Sequence, residues 1–297
     1  MPKLPIDGHT RAGTVSVMIL ITGATGTIGS EVVRRLTARG EPLRALTRDP
    51  SRAPSGVETV VGDLDRPESL APAVAGVEAV FLLTQGGPSA ARHDLAMVEA
   101  ARSAGVRKIV KLSSIGLDVL DESEVDWHRE GERAVRDSGL AWTMLRPSAF
   151  ASNALRWAAP IREGQPIPNL TGNAAQGVVD PRDVAEVAAD ALVSSKHEGE
   201  IYTLTGPELL TTADQADRLG VAIGTALTTV DVPLGSVRAQ LLASGMDPEF
   251  ADATVTGLEI IRSGRNAVLA DGVERALGRP PTSFTAWATD HAPAFRS

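Results

Sequence analysis

The sequence predicts an α/β fold: a doubly wound parallel sheet with a smaller, mainly helical lobe at its C-terminal end. Three observations carry the prediction. Short apolar runs alternate with helical-period segments through residues 17–205. A glycine-rich turn joins the first apolar run to the first helical segment. From Thr211 onward the chain reads as amphipathic helix broken at Pro233, Gly245 and Pro248.

Residues 1–16 mix Pro, Gly, Asp, His and Arg without periodicity and read as a flexible N-terminal extension. Residues 17–22 form the first expected strand. Ile28, Val32, Val33 and Leu36 then fall at helical spacing, and Gly40 closes the helix. Strands follow at 43–47, 59–61, 79–83 and 108–112, with helices at 67–74 and 92–104 between them. A helix is expected around 127–137 and a strand at 141–145 stopped by Pro147. The Gly/Pro/Asn-rich stretch 164–177 belongs to a loop over about 154–177 that is assigned to substrate. A helix at 182–193 and a strand at 201–204 complete a sheet domain over 17–205, leaving 206–297 as a smaller substrate-binding lobe.

Composition narrows the function. The 297 residues are 43% apolar with a formal charge of −8, which suits a globular chain and disfavours long-range attraction to nucleic acid or an anionic membrane. Ten aromatics offer few stacking platforms. There is no cysteine, which excludes disulfides, thiolate metal sites and thiol nucleophiles, and the five histidines are too scattered to read as a metal motif. The apolar run 17–21 is far shorter than a membrane span, so the expected compartment is the cytoplasm.

Thr22-Gly23-Ala24-Thr25-Gly26-Thr27-Ile28-Gly29 is the strongest motif. Glycines at 23, 26 and 29 permit a tight turn, close approach of backbone to a pyrophosphate, and close packing of helix on sheet, while the helix N-terminus presents free N–H groups. Gly23, Thr25, Gly26, Thr27, Ile28 and Gly29 are therefore read as cofactor-binding in a Rossmann-type fold.

Where a free ribose 2′-hydroxyl would be met by Asp or Glu, the second strand ends in Thr47-Arg48. The Arg48 guanidinium matches a 2′-phosphate, so NADPH is preferred, with NADH admitted because Asp49 follows. Arg44 and Arg52 read more readily as solvated side chains. Asp63 and Leu64 are placed at the adenine, with a turn-capping Asp63 as the plainer alternative. Leu83, Thr84 and Gln85 end the fourth strand and Ser113 and Ser114 the fifth, at the switch point of the sheet.

These residues resemble the atypical, NmrA-like branch of the short-chain dehydrogenase/reductase superfamily, which includes NAD(P)H-dependent quinone and azo-dye reductases and redox-sensing regulators. The likeness rests on the glycine turn, Thr47-Arg48-Asp49-Pro50, Gly62-Asp63-Leu64, Ser113-Ser114, the His128 to Glu132 segment, Ser138-Gly139-Leu140, and Leu145-Arg146-Pro147 with Phe150 and Asn153. It continues through Asp183-Val184-Ala185, Leu204-Thr205-Gly206-Pro207 and Leu277-Gly278-Arg279-Pro280. It implies that Pro147, Ser148 and Phe150 flank the nicotinamide, with Arg146 and Pro147 facing the crevice. Typical members carry Tyr-x-x-x-Lys; alignment on the following helix puts Glu124 at the tyrosine position and His128 at the lysine position, with Glu132 one turn later. Tyr202 is far off in sequence.

A simple ketone needs a positioned acid for its alkoxide, whereas a quinone yields a phenol-like oxygen with a pKa near ~10 and needs none. His128 is the catalytic candidate, with Glu124 at i−4 expected to favour its protonated form; the alternative is that it packs beneath the cofactor. The four tryptophans read as packing residues, although Trp157 lies in the substrate-loop region. The expected function is NADPH-dependent hydride transfer to a quinone-like or conjugated small molecule. A dinucleotide sensor acting on a protein partner and a non-redox tailoring enzyme are the alternatives.

Overall fold

A strand that is apolar on both faces must lie between two layers of helices, and the computed structural model, which describes residues 18–122 and 126–296, has this arrangement. The strands in chain order are β1 (Ile19–Ile21), β2 (Leu43–Thr47), β3 (Glu58–Val61), β4 (Ala79–Leu82), β5 (Lys108–Leu112), β6 (Ala141–Pro147), β7 (Ile167–Asn169), β8 (Gln176–Gly177), β9 (Glu200–Leu204), β10 (Leu209–Leu210) and β11 (Thr229–Asp231). The helices are α1 (Thr27–Ala38), α2 (Ala71–Val74), α3 (Ala90–Ser103), α4 (Gly116–Val119), α5 (Arg129–Asp137), α6 (Ala158–Arg162), α7 (Pro181–Val193), α8 (Thr212–Ile223), α9 (Leu234–Ala243), α10 (Pro248–Arg262), α11 (Gly272–Leu277) and α12 (Phe284–His291).

Seven strands form one parallel sheet in the order β3-β2-β1-β4-β5-β6-β9. The order reverses between β1 and β4, so a crevice opens beyond their carboxyl ends. Side chains alternate between two cores. Ile19, Ile21, Phe81, Val110 and Leu145 pack with α1 and α7, while Leu20, Val80, Leu82, Ile109 and Met144 pack with Met97 of α3 and Val135 of α5.

β6 runs through Pro147 rather than stopping at residue 145. A proline at the last position loses only one donor, and its carbonyl still accepts from Ile115 N–H at 3.0 Å. The helix expected from Trp127 begins at Arg129, because Asp126 Oδ1 accepts the His128 N–H at 2.7 Å and turns the chain there. Neither β7, which falls in the stretch read as a loop, nor its parallel partner β11 was expected; three residues are too few to show a period.

A third core joins Leu210, Leu219, Phe284, Trp287 and Phe295 to Ala151, Ala154 and Val178. Helices α8 and α12 are thereby seated on the 151–178 segment, whereas Val273 and Ala276 of α11 pack back into the core of the sheet. Among the described residues no helix is long and apolar enough to cross a membrane. The N-terminal extension lies outside the described residues.

Candidate active site

The groove at the end of β1 is made by backbone. Gly23 has φ of +63°, which a side chain would strain, and a Cβ there would lie 2.8 Å from Leu83 Cδ2. A Cβ on Gly29 would lie 2.1 Å from Gly23 O, so α1 can pack on the turn only through glycine. At Gly26 the space is clear, with Gly23 O at 3.4 Å as the nearest atom, and the surface over it stays open. Thr22 Oγ1 donates to Leu83 O at 2.8 Å and accepts Leu83 N–H at 2.7 Å, tying the ends of β1 and β4 together.

Gly23, Thr25 and Gly26 line this groove of about 400 Å³, together with Arg48, Asp63, Leu64, Leu83 and Gln85. Thr27, Ile28 and Gly29 offer only amides of the first helical turn, which have no intrahelical acceptor; the Ile28 side chain is in the core. Arg48 and Arg52 line the groove, and neither is bonded to a carboxylate among the described residues. Arg44 is instead committed to Glu58 at 2.8 Å and to the carbonyls of Ala73 and Ala75. Asp49 is turned to Ser51, whose N–H and hydroxyl it accepts at 2.9 and 2.7 Å; the Ser51 hydroxyl bond holds its carboxyl below the usual range. Asp63 Oδ1 caps its own turn through Asp65 N–H at 3.1 Å, and His93, which the sequence did not single out, closes the wall through Asp65 at 2.9 Å.

Beyond Leu83 the groove gives way to a cleft of about 580 Å³, where Thr84, Ser113, Ser114, His128, Pro147, Ser148 and Phe150 come together. Behind Thr84 lies a buried ion pair. Lys111 Nζ lies 2.6 Å from Asp94 Oδ2, both side chains are fully buried, and Asp94 Oδ1 accepts the Thr84 hydroxyl at 3.0 Å. Burial pushes the Asp94 carboxyl up and Lys111 opposes it. A Cβ on Gly131 of α5 would lie 1.9 Å from Asp94 Oδ2, so the crossing of α3 and α5 depends on that glycine.

His128 is neutral, contrary to the expectation of a protonated imidazole: burial, helped by the Lys111 charge, pushes it down to about 3 against a smaller upward pull from Glu132. Glu124, the proposed source of that protonation, lies outside the described residues. Arg146 does not face the crevice. It is turned to Glu132, which it grips at 2.9 and 2.6 Å, and to Asp118 at 2.5 Å. Burial pushes the Glu132 carboxyl up, but the paired Arg146 guanidinium brings it below its ordinary value. Tyr202 is in the core, 2.9 Å from His197 Nδ1.

A second branch of about 940 Å³ shares Ser114, Ile115, His128, Ile261 and Asn266 with the first. Trp127, stacked on Phe250 at 5.5 Å, forms one wall, so it is a cleft residue rather than packing alone. Arg156 and Gln176, which lie within the 154–177 stretch assigned to substrate but were not singled out, also line the cleft, and sequence reasoning missed Gln215 and Asn266; the four come from separate segments. Trp157 both lines the first branch and packs on the third core. Four polar atoms on residues lining the cleft have no hydrogen-bond partner among the described residues: Ser113 Oγ, His128 Nδ1, Ser148 Oγ and Asn266 Oδ1. No cluster of metal-ligating side chains occurs among the described residues.

Comparison with known proteins extends this geometry. The NAD(P)H-binding family model matches residues 23–195. A Streptomyces griseus (4-alkanoyl-5-oxo-2,5-dihydrofuran-3-yl)methyl phosphate reductase is 40% identical over 94% of this chain and 99% of its own length. The NAD(P)H azoreductase of Xenophilus azovorans is 36% identical over the same shares. Among solved structures, the NADPH-dependent quinone oxidoreductase of Escherichia coli complexed with NADPH superposes with a TM-score of 0.79 at 26% identity, covering 92% of this chain and 99% of that one. The chain belongs to the NAD(P)H-binding family and, within it, to the atypical short-chain dehydrogenase/reductase branch of NAD(P)H-dependent oxidoreductases.

Proposed function

We propose that the protein transfers hydride from NADPH to a conjugated small-molecule electrophile, a quinone or an activated carbonyl compound. The observation that carries the reading is the cleft next to the groove. Its one imidazole is neutral, and neither a tyrosine nor a lysine lines it among the described residues. Such a site lacks a strong acid for a ketone alkoxide, and it suits an acceptor whose reduced form spreads its charge by conjugation.

The residues fit a nicotinamide dinucleotide. The surface over Gly26 is clear, the first-turn amides of α1 are free to meet a diphosphate, and Arg48 and Arg52, neither bonded to a carboxylate among the described residues, line the groove where a 2′-phosphate would lie. Bound there, the reduced dinucleotide supplies the hydride. Pro147, Ser148 and Phe150 would confine the ring, and Asp63 and Leu64 the adenine. His128 would donate a hydrogen bond to the acceptor oxygen, and the single proton that completes the reduction after hydride transfer would come from water. Catalysis then rests mainly on proximity and orientation. The names of the relatives point the same way: an azo compound, a quinone and a ring alkene flanked by carbonyls are all conjugated.

The test follows NADPH absorbance with matched panels of quinones, azo dyes, conjugated lactones and simple ketones. Conjugated acceptors should be reduced at least about a hundredfold faster than ketones. Tight NADPH binding without oxidation by any acceptor would replace this reading with that of a nucleotide sensor.

A further inference from the structure

Lys111 is fully buried and lines neither branch of the cleft, yet two side chains connect its ammonium to the cleft surface. It lies 2.6 Å from Asp94 Oδ2, while Asp94 Oδ1 accepts the hydroxyl of Thr84 at 3.0 Å. Thr84, 6% exposed, lines the cleft. Asp94 cannot swing away, because α5 passes so close that a Cβ on Gly131 would lie 1.9 Å from Asp94 Oδ2. A carboxylate held ionised by an adjacent ammonium accepts hydrogen bonds and donates none. The single proton of the Thr84 hydroxyl is therefore spent on Asp94, and its oxygen meets any ligand as an acceptor. Among the described residues no donor is bonded to that oxygen.

The place of Thr84 in the chain says which ligand group it meets. Leu83 and Gln85 line the groove at the end of β1, whereas Thr84 between them lines the cleft. A dinucleotide with its diphosphate over Gly26 and its nicotinamide beside Pro147, Ser148 and Phe150 must carry the nicotinamide ribose across this seam. We infer that Thr84 Oγ1 accepts a hydroxyl proton from the nicotinamide ribose, and that Asp94 and Lys111 are positioning residues that fix Thr84 in that sense. The inference rests on the dinucleotide reading of the groove and deepens it. A threonine without the ion pair behind it could give its proton to a ribose oxygen as readily as take one. The pair removes that choice before the nucleotide arrives, so no reorientation of the hydroxyl is needed on binding. The ammonium thus acts on the nucleotide through two hydrogen-bonded neighbours while staying out of contact with it.

The experiment is a fluorescence titration with NADPH and with its two analogues that lack the 2′- or the 3′-hydroxyl of the nicotinamide ribose. Thermal melting first establishes that each variant is folded. One analogue should bind the wild type at least about tenfold more weakly than NADPH does. Thr84→Val, which keeps the shape and removes the hydroxyl, should bind NADPH about tenfold more weakly and that analogue within about twofold of NADPH. Thr84→Ser should restore most of the gap. Asp94→Asn combined with Lys111→Met leaves Thr84 in place beside an amide that donates as well as accepts, and should narrow the gap to below about threefold. Should that double variant not fold, the two Thr84 variants decide. No gap for either analogue in the wild type, or a gap that survives in Thr84→Val, overturns the inference. A full gap in the folded double variant overturns the part given to the ion pair. Binding rather than turnover is read, so these failures leave the reductase reading intact. Failure of the wild type to bind NADPH at all overturns the dinucleotide reading and the inference with it.

Discussion

The groove at the end of β1 and the cleft above β5 are adjacent, yet they are built from different materials. The groove is backbone: a left-handed glycine, a glycine that leaves a surface clear, and a glycine that lets a helix touch a turn, all within seven consecutive residues. The cleft is side chain: His128, Arg156, Gln215 and Asn266 come from four segments, and a buried ion pair behind Thr84 acts on His128. A backbone site tolerates change in its neighbours and none in its own glycines. A side-chain site depends on what lies beneath it.

Substitutions in the two regions sharpen or break that contrast. Lys111→Met should have the largest effect, because it leaves Asp94 buried without its counter-ion. The cost should be about 3–5 kcal/mol in the urea-unfolding free energy, and adding Asp94→Asn should recover part of it. A cost under about 1 kcal/mol would mean that the ion pair does not hold the wall behind Thr84. Gly29→Ala should cost about 1–3 kcal/mol, because its Cβ would meet a backbone oxygen at 2.1 Å. Gly26→Ala should leave the melting temperature unchanged and weaken NADPH binding instead. If both variants unfold alike, the distinct roles of the two glycines disappear.

Arg48→Ala should weaken NADPH about 10- to 100-fold and NADH much less, by fluorescence titration. Equal losses would remove the 2′-phosphate assignment. The smallest effect concerns pH. Native His128 titrates at about 3, against 6.5 for the ordinary imidazole, so between those values the unfolded chain binds the extra proton and stability falls as pH falls. Between pH 7 and 5.5 the loss from this group should be about 1 kcal/mol, absent in His128→Gln. In the same range kcat should show no inflection from an imidazolium. An inflection near 6.5 abolished in His128→Gln would return His128 to the role of proton donor.

The same contrast explains what could be read from the chain. The parallel sheet and the glycine turn were legible because each is specified locally, by alternation of pattern or by consecutive residues. Arg48 was legible because its distance from the turn is set by one strand and one helix. Arg156, Asn266 and Trp127 were not, since nothing in their own neighbourhoods marks a face; they meet only because α10 and the 151–178 segment fold over the sheet. Lys111 was invisible for a different reason. A lysine in a five-residue strand reads as a solvated side chain, and the carboxylate that permits its burial is seventeen positions earlier on a helix. His128 does line the cleft, but its charge was misjudged, because the burial that lowers it, helped by that same hidden lysine, is not written in its own segment.

Asp94, Lys111 and Gly131 interlock so closely that no one of them can be exchanged alone. Any larger residue at 131 displaces the carboxylate, a neutral residue at 94 strands the ammonium, and a neutral residue at 111 strands the carboxylate. In descent from a common ancestor the three positions should therefore be inherited as a block, and a lineage that abandons one should show compensating replacements at the others.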